Sequence, residues 1–267
     1  MSIAHINGID VFYLTEGDPH KPALIFSNSL GTDHSMWDGQ MEKLRRDFYI
    51  IRYDTRGHGL TSAPKGPYTI AQLASDVLGL LDHLSIDKAS YCGISMGGLI
   101  GQWLAINSPE RIEALVIANT APKIGNEQAW NDRAALVRKD GLSGIAESAP
   151  SRWFTPEFYG SSPSSVNELL VTLKNMSPEG YASCCEALAC EDLSGSISKI
   201  RIPTLIIAGG KDPVTTLGDA NEMKSQITHS EFVELPASHI SNIEAELEFN
   251  NSLGNFLKKT VQETTCL

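Results

Sequence analysis

The stretch Ala89-Ser90-Tyr91-Cys92-Gly93-Ile94-Ser95-Met96-Gly97-Gly98 decides how this sequence is read. Ala89 to Gly93 is a short apolar run of the kind that forms a fully buried strand. Met96 to Asn107 follows with helical character and is stopped by Pro109. Ser95 therefore falls on a sharp strand-to-helix turn. Such a turn needs small neighbours because the chain passes close to itself, and Gly93 and Gly97 supply them. A serine held there stands at a helix N-terminus, whose free backbone donors favour negative charge. The glycines also invite a rival reading, the dinucleotide-binding pattern G-x-G-x-x-G, but its middle glycine is Ser95 here. Without that glycine the backbone cannot approach a pyrophosphate.

Outward from this turn, strand-like and helix-like runs alternate. Ile9 to Thr15, Ala23 to Ser27 and Phe48 to Tyr53 read as strands. Ile70, Leu73, Ala74, Val77, Leu80, Leu81 and Leu84 recur at helical spacing, and Ala114 to Ala118 is a further apolar strand. This pattern predicts an α/β fold, a mostly parallel central sheet with helices on both faces. From Pro122 to Ser198 the alternation stops and only helices are expected. It resumes with a strand at Thr204 to Ala208, a helix at Leu217 to Ile227, a strand at Glu231 to Leu235 and a last helix at Ile243 to Leu257. A crossover needs only a dozen or so residues. Residues 122–198 are therefore read as a helical cap inserted into a core formed by 1–121 and 199–267.

Composition narrows the function classes. The chain has 267 residues, 42% hydrophobic and 20% charged, which is enough to bury a sizeable core. A net charge of -11 argues against nucleic acid or an anionic membrane as partner and leaves a small molecule. No apolar run is long enough to span a bilayer, and no secretory leader is visible. Five cysteines without metal-ligand spacing read as reduced thiols, so a cytoplasmic location is expected. Cys266 stands next to the last residue and does not fit a prenylation box. No metal motif and no P-loop appears, so no cofactor is expected. The oligomeric state is left open.

A serine nucleophile needs a base and an acid that orients it, and on such sheets they follow in the order Ser, Asp or Glu, His. Of seven histidines, only His229 and His239 lie beyond the insertion. His229 precedes its strand, at the wrong edge of the sheet. His239 follows that strand, at the edge of Ser95, and is the candidate base. Asp212 follows the preceding strand in Gly209-Gly210-Lys211-Asp212-Pro213 and is the candidate acid; Asp219 and Glu222 lie further on, within the expected helix. The oxyanion donors are expected to be the backbone N–H groups of Met96 and of Leu30, the latter in the loop Ser27-Asn28-Ser29-Leu30-Gly31-Thr32. His58, in Asp54-Thr55-Arg56-Gly57-His58-Gly59, precedes the serine and is read as structural.

Together, the Asn28–Gly31 loop, Asp54–Gly59, the Gly93–Gly97 turn, Asp212 and His239 resemble the α/β-hydrolase family over nearly the whole chain. Within it, Ser27–Thr32, Tyr53–Gly59 and Cys92–Gly98 are similar to the corresponding motifs of the 3-oxoadipate enol-lactonases. The resemblance implies hydrolysis of a small lactone through an acyl-enzyme. Carboxylesterases and perhydrolases share these motifs, and a small-molecule receptor on the same fold is a third alternative. Dehalogenase-like relatives carry aspartate where Ser95 stands. An enol-lactone of this kind carries a carboxylate. Lys123 to Lys139 holds an excess of positive charge, and Trp130 and Arg133 share a helix face there. Arg133 is the candidate carboxylate clamp, with Trp130 and Trp153 as pocket walls and Phe154 a further candidate.

Overall fold

In the computed structural model, whose described residues are 2–265, the apolar runs form one sheet of eight strands. These are β1 (Ser2–Ile6), β2 (Ile9–Glu16), β3 (Ala23–Ser27), β4 (Tyr49–Tyr53), β5 (Ala89–Ile94), β6 (Ile112–Ala118), β7 (Thr204–Gly209) and β8 (Ser230–Leu235). Their spatial order is β1-β2-β4-β3-β5-β6-β7-β8. The β1–β2 and β2–β4 pairs are antiparallel, and every pairing from β4 to β8 is parallel. β5 and β7 are buried at every position, which is why they read as unbroken apolar runs.

The helices are α1 (Asp38–Leu44), α2 (Ile70–His83), α3 (Met96–Asn107), α4 (Glu127–Asp140), α5 (Ser143–Ser148), α6 (Pro150–Trp153), α7 (Pro156–Ser161), α8 (Pro163–Asn175), α9 (Pro178–Cys190), α10 (Leu217–Gln226), α11 (Ser241–Glu244) and α12 (Glu246–Thr265). α2 starts where Thr69 accepts a hydrogen bond from the Gln72 N–H, and it buries the apolar face that its spacing predicts. α2 packs on α3, while α1, α11 and α12 pack together. Among the described residues, α4 to α9 connect β6 to β7 with no strand between them, and α4 lies against α9.

Three features differ from the sequence reading. β1 is an additional strand, joined to β2 by Asn7-Gly8 at φ 50° and 75°, the conformation for which a two-residue hairpin selects Asn-Gly. α1 and the 3₁₀ turn His34–Trp37 before it are also additional; they are too short to show a period. The single last helix is two, α11 and α12, broken at Ala245.

β3, β5, β6, β7 and β8 are parallel neighbours, so the loops that follow them emerge along one edge of the sheet. Those loops carry Leu30, Ser95, Asn119, Asp212 and His239. No helix among the described residues is long and apolar enough to cross a membrane. Cys266 lies outside the described residues.

Candidate active site

Ser95 sits between β5 and α3 with φ 56° and ψ -115°, a conformation that a residue with a side chain rarely adopts. The surroundings impose it. Ser95 N–H donates to the Ala118 carbonyl at 3.0 Å, and Thr120 Oγ1 donates to the Ser95 carbonyl at 2.8 Å. A Cβ on Gly97 would collide with the Ser27 carbonyl, and one on Gly93 with the Gly97 carbonyl. The small-residue pattern is thus steric in origin: the strained turn lifts the serine off the end of the strand.

His239 Nδ1 lies 2.7 Å from Asp212 Oδ2, and both side chains are buried. A carboxylate only accepts, so Nδ1 carries the proton and Nε2 is free to take one. Asp212 also accepts from the N–H groups of Val214 (2.7 Å) and Thr215 (3.1 Å), from Thr215 Oγ1 (2.8 Å) and from Asn119 Nδ2 (3.1 Å). Burial by itself would raise the Asp212 carboxyl, but the His239 charge, its hydrogen bond and these donors outweigh it and hold the group below its ordinary value. The base loop is braced in turn. Ser238 N–H donates to Glu244 Oε2 at 2.7 Å, and Ile240 N–H donates to the Trp153 carbonyl at 3.0 Å. Asp219 is engaged elsewhere, in a reciprocal cap with Thr216 at the start of α10.

The expected oxyanion donors are both uncommitted. Among the described residues, neither the Leu30 nor the Met96 N–H donates to another group of the protein. Gly97 N–H donates to the Asn28 carbonyl at 3.1 Å, which ties the Leu30 loop to the serine turn. Gly31 N–H donates to His58 Nε2 at 3.0 Å. His58 is fully buried, and this drives its imidazole down to about 4, against the weaker opposing pull of the Arg56 carbonyl. It is a neutral acceptor that holds the loop, in keeping with a structural role.

Ser95, His239 and Leu30 line one cavity of about 260 Å³, together with Trp130, Arg133 and Trp153. Arg133 lies over the Trp130 ring, 4.8 Å from its centre, so the expected face is formed. Phe154 is not in the lining; it is buried against Phe158 with ring centres 5.1 Å apart. The basic stretch around Arg133 is not an anion site as a whole. Lys123 pairs with Asp192, and Arg138 pairs with Glu179 and Glu186. The second cavity guanidinium comes instead from Arg152, which sequence reasoning misses. Its charged form is disfavoured by burial and then by the nearby Arg133. Arg152 Nη1 donates to Ser148 Oγ at 2.8 Å, and among the described residues neither arginine pairs with a carboxylate. The lining among the described residues holds no Asp or Glu. Tyr181 and Asn119 are likewise unforeseen; Asn119 has one signal, a polar residue directly after a strand at the site's edge.

The chain is similar to known proteins over most of its length. Residues 22–157 match the family model described as alpha/beta hydrolase fold. The chain is 53% identical to 3-oxoadipate enol-lactonase 2 of Acinetobacter baylyi over 92% of each chain, and 42% identical to 3-oxoadipate enol-lactonase 1 of that organism over 91% of each. The crystal structure of the enol-lactonase from Burkholderia xenovorans LB400 superposes with a TM-score of 0.95 at 42% identity, covering 96% of this chain and 100% of that one. The family model over residues 22–157 and these relatives, matched over nine-tenths of the chain or more, show that the chain belongs to the alpha/beta hydrolase fold family, among relatives that include these enol-lactonases.

Proposed function

We propose that the chain is a serine hydrolase that opens a small lactone bearing a carboxylate, 3-oxoadipate enol-lactone to 3-oxoadipate. The observation that carries this reading is the cavity itself. It is lined by Ser95 and His239, whose Nδ1 faces Asp212, and by two guanidiniums that, among the described residues, have no carboxylate partner and no Asp or Glu beside them in the lining. In a protein of net charge -11, two such charges in one cavity favour an anionic ligand.

Ser95 Oγ attacks the lactone carbonyl while His239 Nε2 takes its proton. The oxyanion is received by the Leu30 and Met96 N–H groups, and Asp212 stabilises the imidazolium. The ring C–O bond then breaks, and the leaving enolate oxygen takes the proton from His239 and rearranges to the ketone. Water, deprotonated by His239, attacks the acyl-enzyme and releases the acid and Ser95. Arg133 and Arg152 hold the substrate carboxylate, and Trp130 and Trp153 wall the ring. Residues 122–198, which supply these four side chains, act as the cap, and 1–121 with 199–267 as the catalytic core. The free buried thiols Cys184 and Cys185, adjacent and unbridged, suit a reducing cytoplasmic compartment.

The test is a hydrolysis panel of 3-oxoadipate enol-lactone, a neutral lactone and a short aryl ester. The anionic lactone is expected to give the highest kcat/KM, and a preference for the aryl ester would identify a general carboxylesterase instead. Ser95→Ala is expected to lower kcat by about 10³-fold or more and to abolish labelling by an organophosphonate. Full activity in that variant rejects the assignment.

A further inference from the structure

The residues at the carboxyl end of β6 touch Ser95, Asp212 and the neighbour of His239. Ala118 and Thr120 hold the Ser95 backbone, and Asn119 between them reaches the other two loops. Every polar atom of the Asn119 carboxamide is in use. Nδ2 donates to Asp212 Oδ2 at 3.1 Å and to the carbonyl of Ser238, the neighbour of His239, at 3.0 Å. Oδ1 accepts from Ser241 Oγ at 2.5 Å. The residue is 2% exposed and stands at φ 45°. A buried amide on strained backbone, with each donor and acceptor spent across two loops, holds those loops in place.

We infer that Asn119 is a positioning residue for the acid–base pair. It fixes the direction that Asp212 Oδ2 faces and locks the acid loop to the base loop, so that the imidazole stays aimed at Ser95. The inference rests on the triad reading above. A carboxamide nitrogen only donates, so it needs an acceptor on Asp212 Oδ2 and favours the ionised carboxylate there. Three donors, from His239, Thr215 and Asn119, converge on Oδ2 and leave Oδ1 to the backbone. The charged groups facing this point are Asp212 and His239 on the two loops and Glu244 on α11, whose Oε2 accepts the Ser238 N–H.

The test compares kcat and KM for p-nitrophenyl acetate across pH in the full-length wild type, Asn119→Gly, Asn119→Asp and Ser95→Ala. Glycine tolerates the positive φ and deletes the amide. Its kcat is expected to fall about 10- to 100-fold, as for a lost hydrogen bond to a charged group, with KM changed by less than about 3-fold. Aspartate keeps the shape but donates only while protonated. Relative to the wild type, that variant is expected to come closest in kcat at the low end of the active range and to fall further behind as pH rises, while a purely space-filling role predicts a constant ratio. Unchanged kcat in the glycine variant, a wild-type pH profile in the aspartate variant, or an effect on KM alone each overturns the inference. If the glycine variant fails to fold, the aspartate profile decides. Turnover retained by Ser95→Ala removes the triad reading and this inference with it. Turnover lost in Ser95→Ala, with wild-type behaviour in both Asn119 variants, removes this inference alone.

Discussion

Arg133 and Arg152 face one cavity from two helices of the segment between β6 and β7, and burial and then the nearby Arg133 disfavour the charge of Arg152. Two guanidiniums held together away from carboxylates repel until an anion joins them, and a planar carboxylate matches their forked donors. Arg152→Gln is expected to raise KM on the anionic lactone about 10-fold, the worth of one charge-assisted hydrogen bond. KM on a neutral aryl ester should move by less than about 3-fold, because no charge is lost there. Equal effects on both substrates would make Arg152 a wall rather than a clamp. Of this pair, only Arg133 is legible in the sequence, from its spacing to Trp130. Arg152 sits in Ser151-Arg152-Trp153, where no local pattern shows that folding turns its head inward. Charge counting along the chain misleads for the same reason, since Lys123 and Arg138 find carboxylates far away in sequence.

At the scale of elements, α9 docks on the loop after β4 through two glycines. A Cβ on Gly57 would stand 2.6 Å from the Gly180 Cα, and one on Gly180 would collide with the Gly57 carbonyl. The contact matters for the site because α9 carries Tyr181 into the cavity, and Cys184 Sγ donates to the Arg56 carbonyl at 3.5 Å beside His58. Gly180→Ala is expected to destabilise the protein by about 1–3 kcal/mol, the usual cost of overpacking. Gly195→Ala, with open space around the site, serves as the control. Thermal unfolding checks both, and equal melting temperatures would remove α9 docking as a constraint. Elements of this kind are legible in sequence when their period is long, as in α2, or when burial makes them uniformly apolar, as in β5 and β7. α1 escapes because two turns of helix give too few positions for a period. β1 escapes although Asn7-Gly8 marks its hairpin.

At the scale of the whole molecule, the buried histidine couples the site to global stability. Burial holds His58 at about 4, against 6.5 for an unperturbed imidazole. The unfolded chain therefore takes up this proton from about pH 6.5 downward, while the native state resists it until about pH 4. The sign is that of a depressed group: its contribution is complete above the unfolded value and is lost as pH falls towards the folded one. Across that window the loss amounts to roughly 3 kcal/mol for a shift of this size. Asp212, also held below its ordinary value, adds an acid loss of the same sign at lower pH. His58→Gln keeps an acceptor for the Gly31 N–H but does not titrate. Its melting temperature is expected to fall less steeply than that of the wild type between pH 6.5 and pH 4. Parallel curves would mean that His58 is not the neutral brace of the oxyanion loop. A steeper wild-type curve with activity lost in step would tie acid inactivation to that loop, because the protonated imidazole can no longer accept from Gly31 and the Leu30 N–H loses its support.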